Sequence, residues 1–281
     1  MAHREDLDPS KKNGKRWMSY TRRCGFVDWG HAIPEGAKEL KKQMDAESLK
    51  VVYIEDRELN TIPITLDGLP AFVVGFGEMM GRKNFKVGIY SHYVVRKGLT
   101  PGEKESAALG IFHDTSIEFE TFQGSPMFTW KSHSSFSGED LPSNEIGFYA
   151  AYRGWDDDTY IRQICGEVSV DESKRIWDAY LPPRGIEDEK NYGFRPLPLP
   201  EPDITTIEGV KGPEDVTWPA ELRTIAPAPH GSTWVKVGGE KTSRRFNEGD
   251  LAAARKGAKI DVQKTGEVRH IWPAGRAPKF Y

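Results

Sequence analysis

Cysteine is almost missing from this chain, with Cys24 and Cys165 the only two among 281 residues. Two thiols are too few for a disulfide framework, and no Cys-x-x-Cys pair occurs. A thiolate zinc site is therefore not expected, and a reduced compartment is the default. Long apolar runs are missing as well. No stretch approaches the length of a membrane span, and Met1 to Lys15 is charged where a secretory signal would be apolar. The expectation is a soluble protein, cytoplasmic as synthesised, with no membrane partner; export by a signal-peptide-independent system stays compatible. Charge of one sign is not in excess either. A net charge of −3 and a pI near 6.2 give no global attraction to polyanions, so no nucleic-acid partner is expected. No internal repeat is found.

Several motifs are also lacking. Gly75-Phe-Gly77-Glu-Met-Met80 has no third glycine of a dinucleotide fingerprint, and no Walker lysine pattern follows a strand. A hairpin is the simpler reading of these glycines, and no cofactor is expected. His31, Asp28, Glu120 and His113 are metal-ligand types. However, His113-Asp-Thr-Ser-Ile117 puts an apolar residue where a zincin helix needs its second imidazole, so no metal is assigned.

What is present is enough hydrophobic content, 37%, for a full core. The pattern predicts an α+β fold, a small antiparallel sheet packed by helices, with a Pro-rich extended segment and a small basic C-terminal module. The division is a polar arm (1–23), an α+β core domain carrying the candidate site (24–181), a Pro-rich extended connector (182–230) and the basic module (231–281). Residues 49–54, 71–76 and 85–95 read as strands, rich in β-branched and aromatic residues. Ile33-Pro-Glu35 opens a helix with Ala37, Leu40 and Met44 on one face. Thr100-Pro-Gly-Glu103 is a capping box opening a long helix to Gln123, closed by a left-handed Gly124. Its core stripe is Ala108, Ile111, Phe112, Thr115, Phe119 and Phe122, with Leu109, His113, Ser116, Glu120 and Gln123 on the adjoining flank. Further helices are predicted over 145–153, 159–165 and 171–180. In the C-terminal module, 234–237 and 259–262 read as strands and 250–255 as a helical run.

The segment Cys24-Gly-Phe-Val-Asp-Trp-Gly-His-Ala32 crowds a thiol, a carboxylate and an imidazole between flexible glycines and large aromatics. A thiolate paired with an imidazolium attacks carbonyl carbon, which makes Cys24 a candidate nucleophile with His31 as base and acid. His92 and His113 are alternative imidazoles, Asp28 or Glu120 would orient the ring, and Arg22 and Arg23 would favour the thiolate. The bland alternative is a buried Cys24 and a His31 bonded to backbone. Val87-Gly-Ile-Tyr90 resembles a strand run of papain-like amidases of the NlpC/P60 type over these four residues. Lys86 stands where that family carries a histidine, and membership is not claimed.

A second constellation is carboxylic. Glu120 on the helix flank could meet Glu139 or Asp140 from Ser135-Phe-Ser-Gly-Glu-Asp-Leu-Pro-Ser-Asn144, dividing acid and base roles as in glycoside hydrolysis. The bland alternative is helix capping by the same residues, which leaves Ser143 and Asn144 unexplained. Lys241, Arg244, Arg245, Arg255 and Lys256, near Trp234 and Phe246, form a basic C-terminal run that reads as a solvated surface before an anionic docking face.

Three functions follow. The first is a cysteine-dependent hydrolase or acyl transferase, an amidase acting on a peptide or cell-wall peptide. The second is a muramidase-like glycoside hydrolase using Glu120 and Glu139 on a glycan substrate. The third is a non-catalytic binding protein whose Pro-rich and C-terminal regions contact a protein partner, a form that also suits a delivered bacterial effector.

Overall fold

The computed structural model describes residues 3–11, 14, 16–47, 63–82, 85–124, 135–181, 185–196, 218–239, 259–265 and 268–271. The strand predicted over 49–54, the helical run over 250–255, the basic residues from Lys241 to Lys256 and, within the Pro-rich stretch, residues 182–184 and 197–217 lie outside them.

Two units divide the chain. Unit 1 comprises Met1–Ala37 and Ser116–Thr224, and unit 2 comprises Lys38–Thr115 and Ile225–Tyr281. Helices α1 (Glu35–Ala46) and α2 (Pro101–Gln123) carry the chain from one unit's range to the other's. Among the described residues no helix is long and apolar enough to cross a membrane.

Unit 2 is built on a sheet. Strands β3 (Ile64–Leu66), β4 (Leu69–Arg82), β5 (Phe85–Arg96), β6 (Trp234–Gly239), β7 (Lys259–Val262) and β8 (Val268–Ile271) lie in the order β6-β5-β4-β3-β7-β8. The expected antiparallel sheet is in fact mixed, because β3 pairs with β7 in parallel. The α+β class holds, and the sheet is larger than its sequence signal. In the long β4–β5 hairpin Gly75 stands opposite His92 and Gly77 opposite Tyr90. A Cβ on Gly75 would come within 2.1 Å of the Tyr90 hydroxyl, and one on Gly77 within 2.3 Å of Ile89 O. These glycines therefore make room for a tyrosine across the hairpin. Val87-Gly-Ile-Tyr90 belongs to β5.

Unit 1 joins a two-stranded hairpin, β1 (Met18–Thr21) and β2 (Gly25–Asp28), to helices α3 (Asp140–Arg153), α4 (Asp158–Cys165) and α5 (Val170–Tyr180). The residues read as a polar arm are part of this body: Leu7, Met18 and Tyr20 share a core cluster with Phe26, Ile176 and Trp177.

Helix boundaries follow local chemistry. Thr100 and Glu103 form the capping box, with Thr100 N donating to Glu103 Oε2 at 2.8 Å and Glu103 N to Thr100 Oγ1 at 3.3 Å. Ala37, Leu40 and Met44 of α1 are all buried, as their spacing predicts. Gly124 closes α2 through its N–H to Glu120 O, whereas left-handed terminating glycines are found at Gly154 and Gly166, after α3 and α4. Helix α3 starts five residues before the predicted position, at Asp140 instead of Glu145. That shift matters, because it places Ser143 and Asn144 inside the helix.

Candidate active site in unit 1

The β1–β2 turn determines what becomes of Cys24. Gly25 takes φ of 67°, conformational freedom only glycine has at low cost. Thr21 Oγ1 accepts from Cys24 N and donates to Gly25 O. Arg22 N and Arg23 N then donate to Gly166 O and Cys165 O, which ties the turn to the end of α4. With the Cα atoms 5.3 Å apart, Cys24 and Cys165 form a disulfide. Both are fully buried. A sulfur so bonded has no thiol to ionise, and the described chain holds no free cysteine. The proposed nucleophile is thus corrected, together with the expectation that two cysteines imply reduced thiols. The arginines meant to favour a thiolate are engaged elsewhere, Arg22 with Glu172 at 3.2 Å and Arg23 with Ile164 O at 3.2 Å.

The rest of the segment builds a site. Asp28 closes a tight turn, accepting from Gly30 N through Oδ1 at 2.6 Å and from His31 N and Ala32 N through its carbonyl at 3.0 Å. Its own N–H donates to Ser143 Oγ on α3 at 2.9 Å. Close approach is needed here: a Cβ on Gly147 of α3 would sit 3.1 Å from the Ala32 carbonyl carbon. The turn thereby presents His31 to the start of α3, with Nε2 3.8 Å from Asp140 Oδ1. Trp29 fixes the outer side, donating to Ser19 Oγ at 2.7 Å and lying under the Arg162 guanidinium at 4.0 Å.

Glu120 and Glu139 belong to the same cluster. Glu120 is fully buried; its Oε2 accepts from Phe136 N at 2.6 Å, and its Oε1 has no hydrogen-bond partner among the described residues. Glu139 occupies the N-cap position of α3 but makes no capping hydrogen bond with its side chain. It accepts instead from Ser137 Oγ at 2.8 Å. Helix capping therefore does not account for Glu139.

Electrostatics follow from crowding in a dry place. Burial pushes Glu139 up to about 7, with Asp28 adding to the rise and the Ser137 hydroxyl and His31 opposing it. Burial, then Glu139, hold Asp140 well above the usual aspartate range. Burial raises Glu120 as well, against the Phe136 N–H and His31. Burial alone would lower His31, yet Asp140, Asp28, Glu120 and Glu139 outweigh it and raise the ring to about 9. One imidazole thus lies among four carboxyl groups, Asp140, Asp28, Glu120 and Glu139. The His31 side chain is 32% exposed, whereas Glu120, Glu139 and Asp140 are buried.

His113 and His92 belong to unit 2. His113 sits two helical turns before Glu120 on α2, about 10 Å along the axis. Asp140 and Asn144 are the members the sequence undervalued, since only the true start of α3 puts them one turn apart on a shared face. Among the described residues no group of three or more His, Cys, Asp or Glu side chains is arranged to hold a metal ion. No family model, no curated protein and no solved structure matches this chain.

Proposed function

We propose that unit 1 is an acid–base hydrolase of glycosidic bonds, with Glu139 as the acid and Glu120 as the base. One observation carries this reading: two buried glutamates lie beside a shared imidazole in different surroundings, Glu139 accepting from the Ser137 hydroxyl and Glu120 from the Phe136 backbone amide. A carboxyl raised to about 7 keeps its proton near neutrality and can deliver it to a leaving oxygen. Glu120 is equipped for the opposite role. The Phe136 N–H stabilises its charged form, and Oε1 is left as an acceptor for the proton of an attacking water.

In the step envisaged, the Glu139 proton goes to the glycosidic oxygen as its bond to the anomeric carbon breaks. A water molecule adds to that carbon and gives its proton to Glu120. His31 places a positive charge beside Glu120 that favours its charged form. Cys24 has no chemical part; its disulfide holds the hairpin from which Asp28 and His31 extend.

The test is hydrolysis of β-linked oligosaccharides and cell-wall glycan, followed by mass spectrometry, for the wild type, Glu139→Gln and Glu120→Gln. Loss of about 100-fold or more in kcat is expected from each substitution. Wild-type rates in both variants would end the reading. Treatment of the oxidised protein with iodoacetamide should leave its rate unchanged, and inactivation by that reagent would return the role to a thiol.

A further inference from the structure

One polar group beside the cluster has no part in this acid–base chemistry. Asn144 is 7% exposed, and its Nδ2 has no hydrogen-bond partner among the described residues. A buried amide N–H left unpaired is costly, so a persistent one calls for an external acceptor. Asn144 lies one turn after Asp140 on α3, and residues four apart share a helix face. Asp140 is the α3 residue that faces His31, so the Asn144 amide is presented on the side of the acids. Its neighbour Ser143 is already committed to Asp28 N.

A second observation comes from the loop that holds Glu120. Phe136, whose N–H fixes Glu120 Oε2, has φ of 54°, a left-handed conformation that side chains other than glycine seldom adopt and that often marks a functional site. Its ring packs on Tyr192 with centroids 4.8 Å apart, and Tyr192 is 70% exposed. This exposure is not slackness. Asn191 N donates to Phe136 O at 2.9 Å, Asn191 Nδ2 donates to Gly138 O and Arg195 O, and Gly193 N donates to Asn191 Oδ1. A flat aromatic face is thereby held beside the residue that grips Glu120.

We infer that Asn144 and the Phe136–Tyr192 pair form a subsite for a 2-acetamido sugar, Asn144 Nδ2 donating to the acetamido carbonyl and Tyr192 stacking on the apolar face of the ring. This rests on the glycosidase reading and names its substrate class. A free donor in a site crowded with carboxyl groups requires an acceptor that brings no further negative charge, and the acetamido oxygen is the strongest neutral acceptor such a sugar carries. An acidic sugar would be repelled.

The test measures binding to full-length Glu139→Gln protein, which should not turn over, of three tetramers: β-1,4-linked N-acetylglucosamine, glucosamine and glucose. Tyrosine and tryptophan fluorescence reports binding. The acetylated tetramer should bind at least tenfold more tightly than the others. Asn144→Ala should weaken it about tenfold and remove the preference, while Tyr192→Ala should weaken all tetramers alike and Tyr192→Phe restore them. Equal affinity for the three tetramers, or a folded Asn144→Ala protein with unchanged preference, would overturn the subsite. If Asn144→Ala does not fold, Tyr192→Ala at its exposed position decides, and unchanged binding there counts against the proposal. The two readings fail separately. Selective binding without wild-type hydrolysis ends the glycosidase and keeps the subsite, whereas hydrolysis without selectivity does the reverse.

Discussion

The two units treat their carboxylates in opposite ways: Asp114 of unit 2 is one-third exposed, whereas Glu120 and Glu139 of unit 1 are buried. In unit 2 Asp114 is matched: Tyr93 donates its hydroxyl at 2.8 Å, Lys236 Nζ lies 3.0 Å away, and Thr115 completes the set through the Tyr93 hydroxyl at 2.7 Å. In unit 1 Glu120, Glu139, Asp140 and Asp28 share one imidazolium, and two buried polar atoms, Glu120 Oε1 and Asn144 Nδ2, have no hydrogen-bond partner among the described residues. The first arrangement is what folding alone favours, since a paired charge avoids the cost of desolvation. The second opposes folding, and it is the place to which the proposed hydrolysis is assigned.

The largest expected effect that separates the units is catalytic. Glu139→Gln should abolish most hydrolysis while the protein remains folded, and Asp114→Asn should leave the rate alone. Equal losses from the two, measured on one glycan substrate, would erase the contrast. Next comes the disulfide. Its partners are separated by 141 positions, and in the chain-entropy picture a loop of that length contributes up to about 5 kcal/mol. Reduction followed by alkylation should lower the melting temperature by roughly 10 °C, with faster hydrogen exchange confined to unit 1 peptides. Faster exchange across the unit 2 sheet instead would show that the staple serves both units.

Dependence on pH gives a smaller and directional effect. Glu139 holds its proton up to about 7 in the folded state against an ordinary 4.5. Its stabilising contribution is thus full below 4.5 and lost as pH rises through 7. His31, raised to about 9 from 6.5, contributes fully below 6.5 and loses that as pH passes 9. Both act in one direction, so stability should decline from about pH 5 to pH 9. Glu139→Gln should flatten the lower half of that decline in a melting series, and a wild-type curve that rises over this range would contradict the assignment. Least affected should be Asp114→Asn, at about 1 kcal/mol of stability in a melting measurement.

The elements that the sequence revealed are those with a local cause. The capping box at Thr100, the apolar spacing of Ala37, Leu40 and Met44, and the glycine after α3 each act within a turn or two of chain, so their residues announce them. β1, β2, β3 and β8 went unread. Each is only three or four residues long, too short to show an alternation; β1–β2, β3–β4 and β7–β8 are local hairpins, and only the β3–β7 pairing joins segments distant in sequence. The site divides in the same way. Asp28, His31, Glu120 and Glu139 were all recognisable as chemistry-bearing residues, but their grouping around the wrong centre, the Cys24 sulfur, followed from proximity along the chain.

By itself, then, the sequence determined which segments become helices, where most of them stop, and which side chains can carry protons. Only the tertiary structure decided that Cys24 meets Cys165 and that an aspartate at the end of a hairpin, an imidazole in its turn and acids from two helices share one dry place. Caps and periodicity are set by neighbours a few residues away. Disulfide pairing and the crowding that shifts a carboxyl from its ordinary range depend on distances in space that no local pattern encodes.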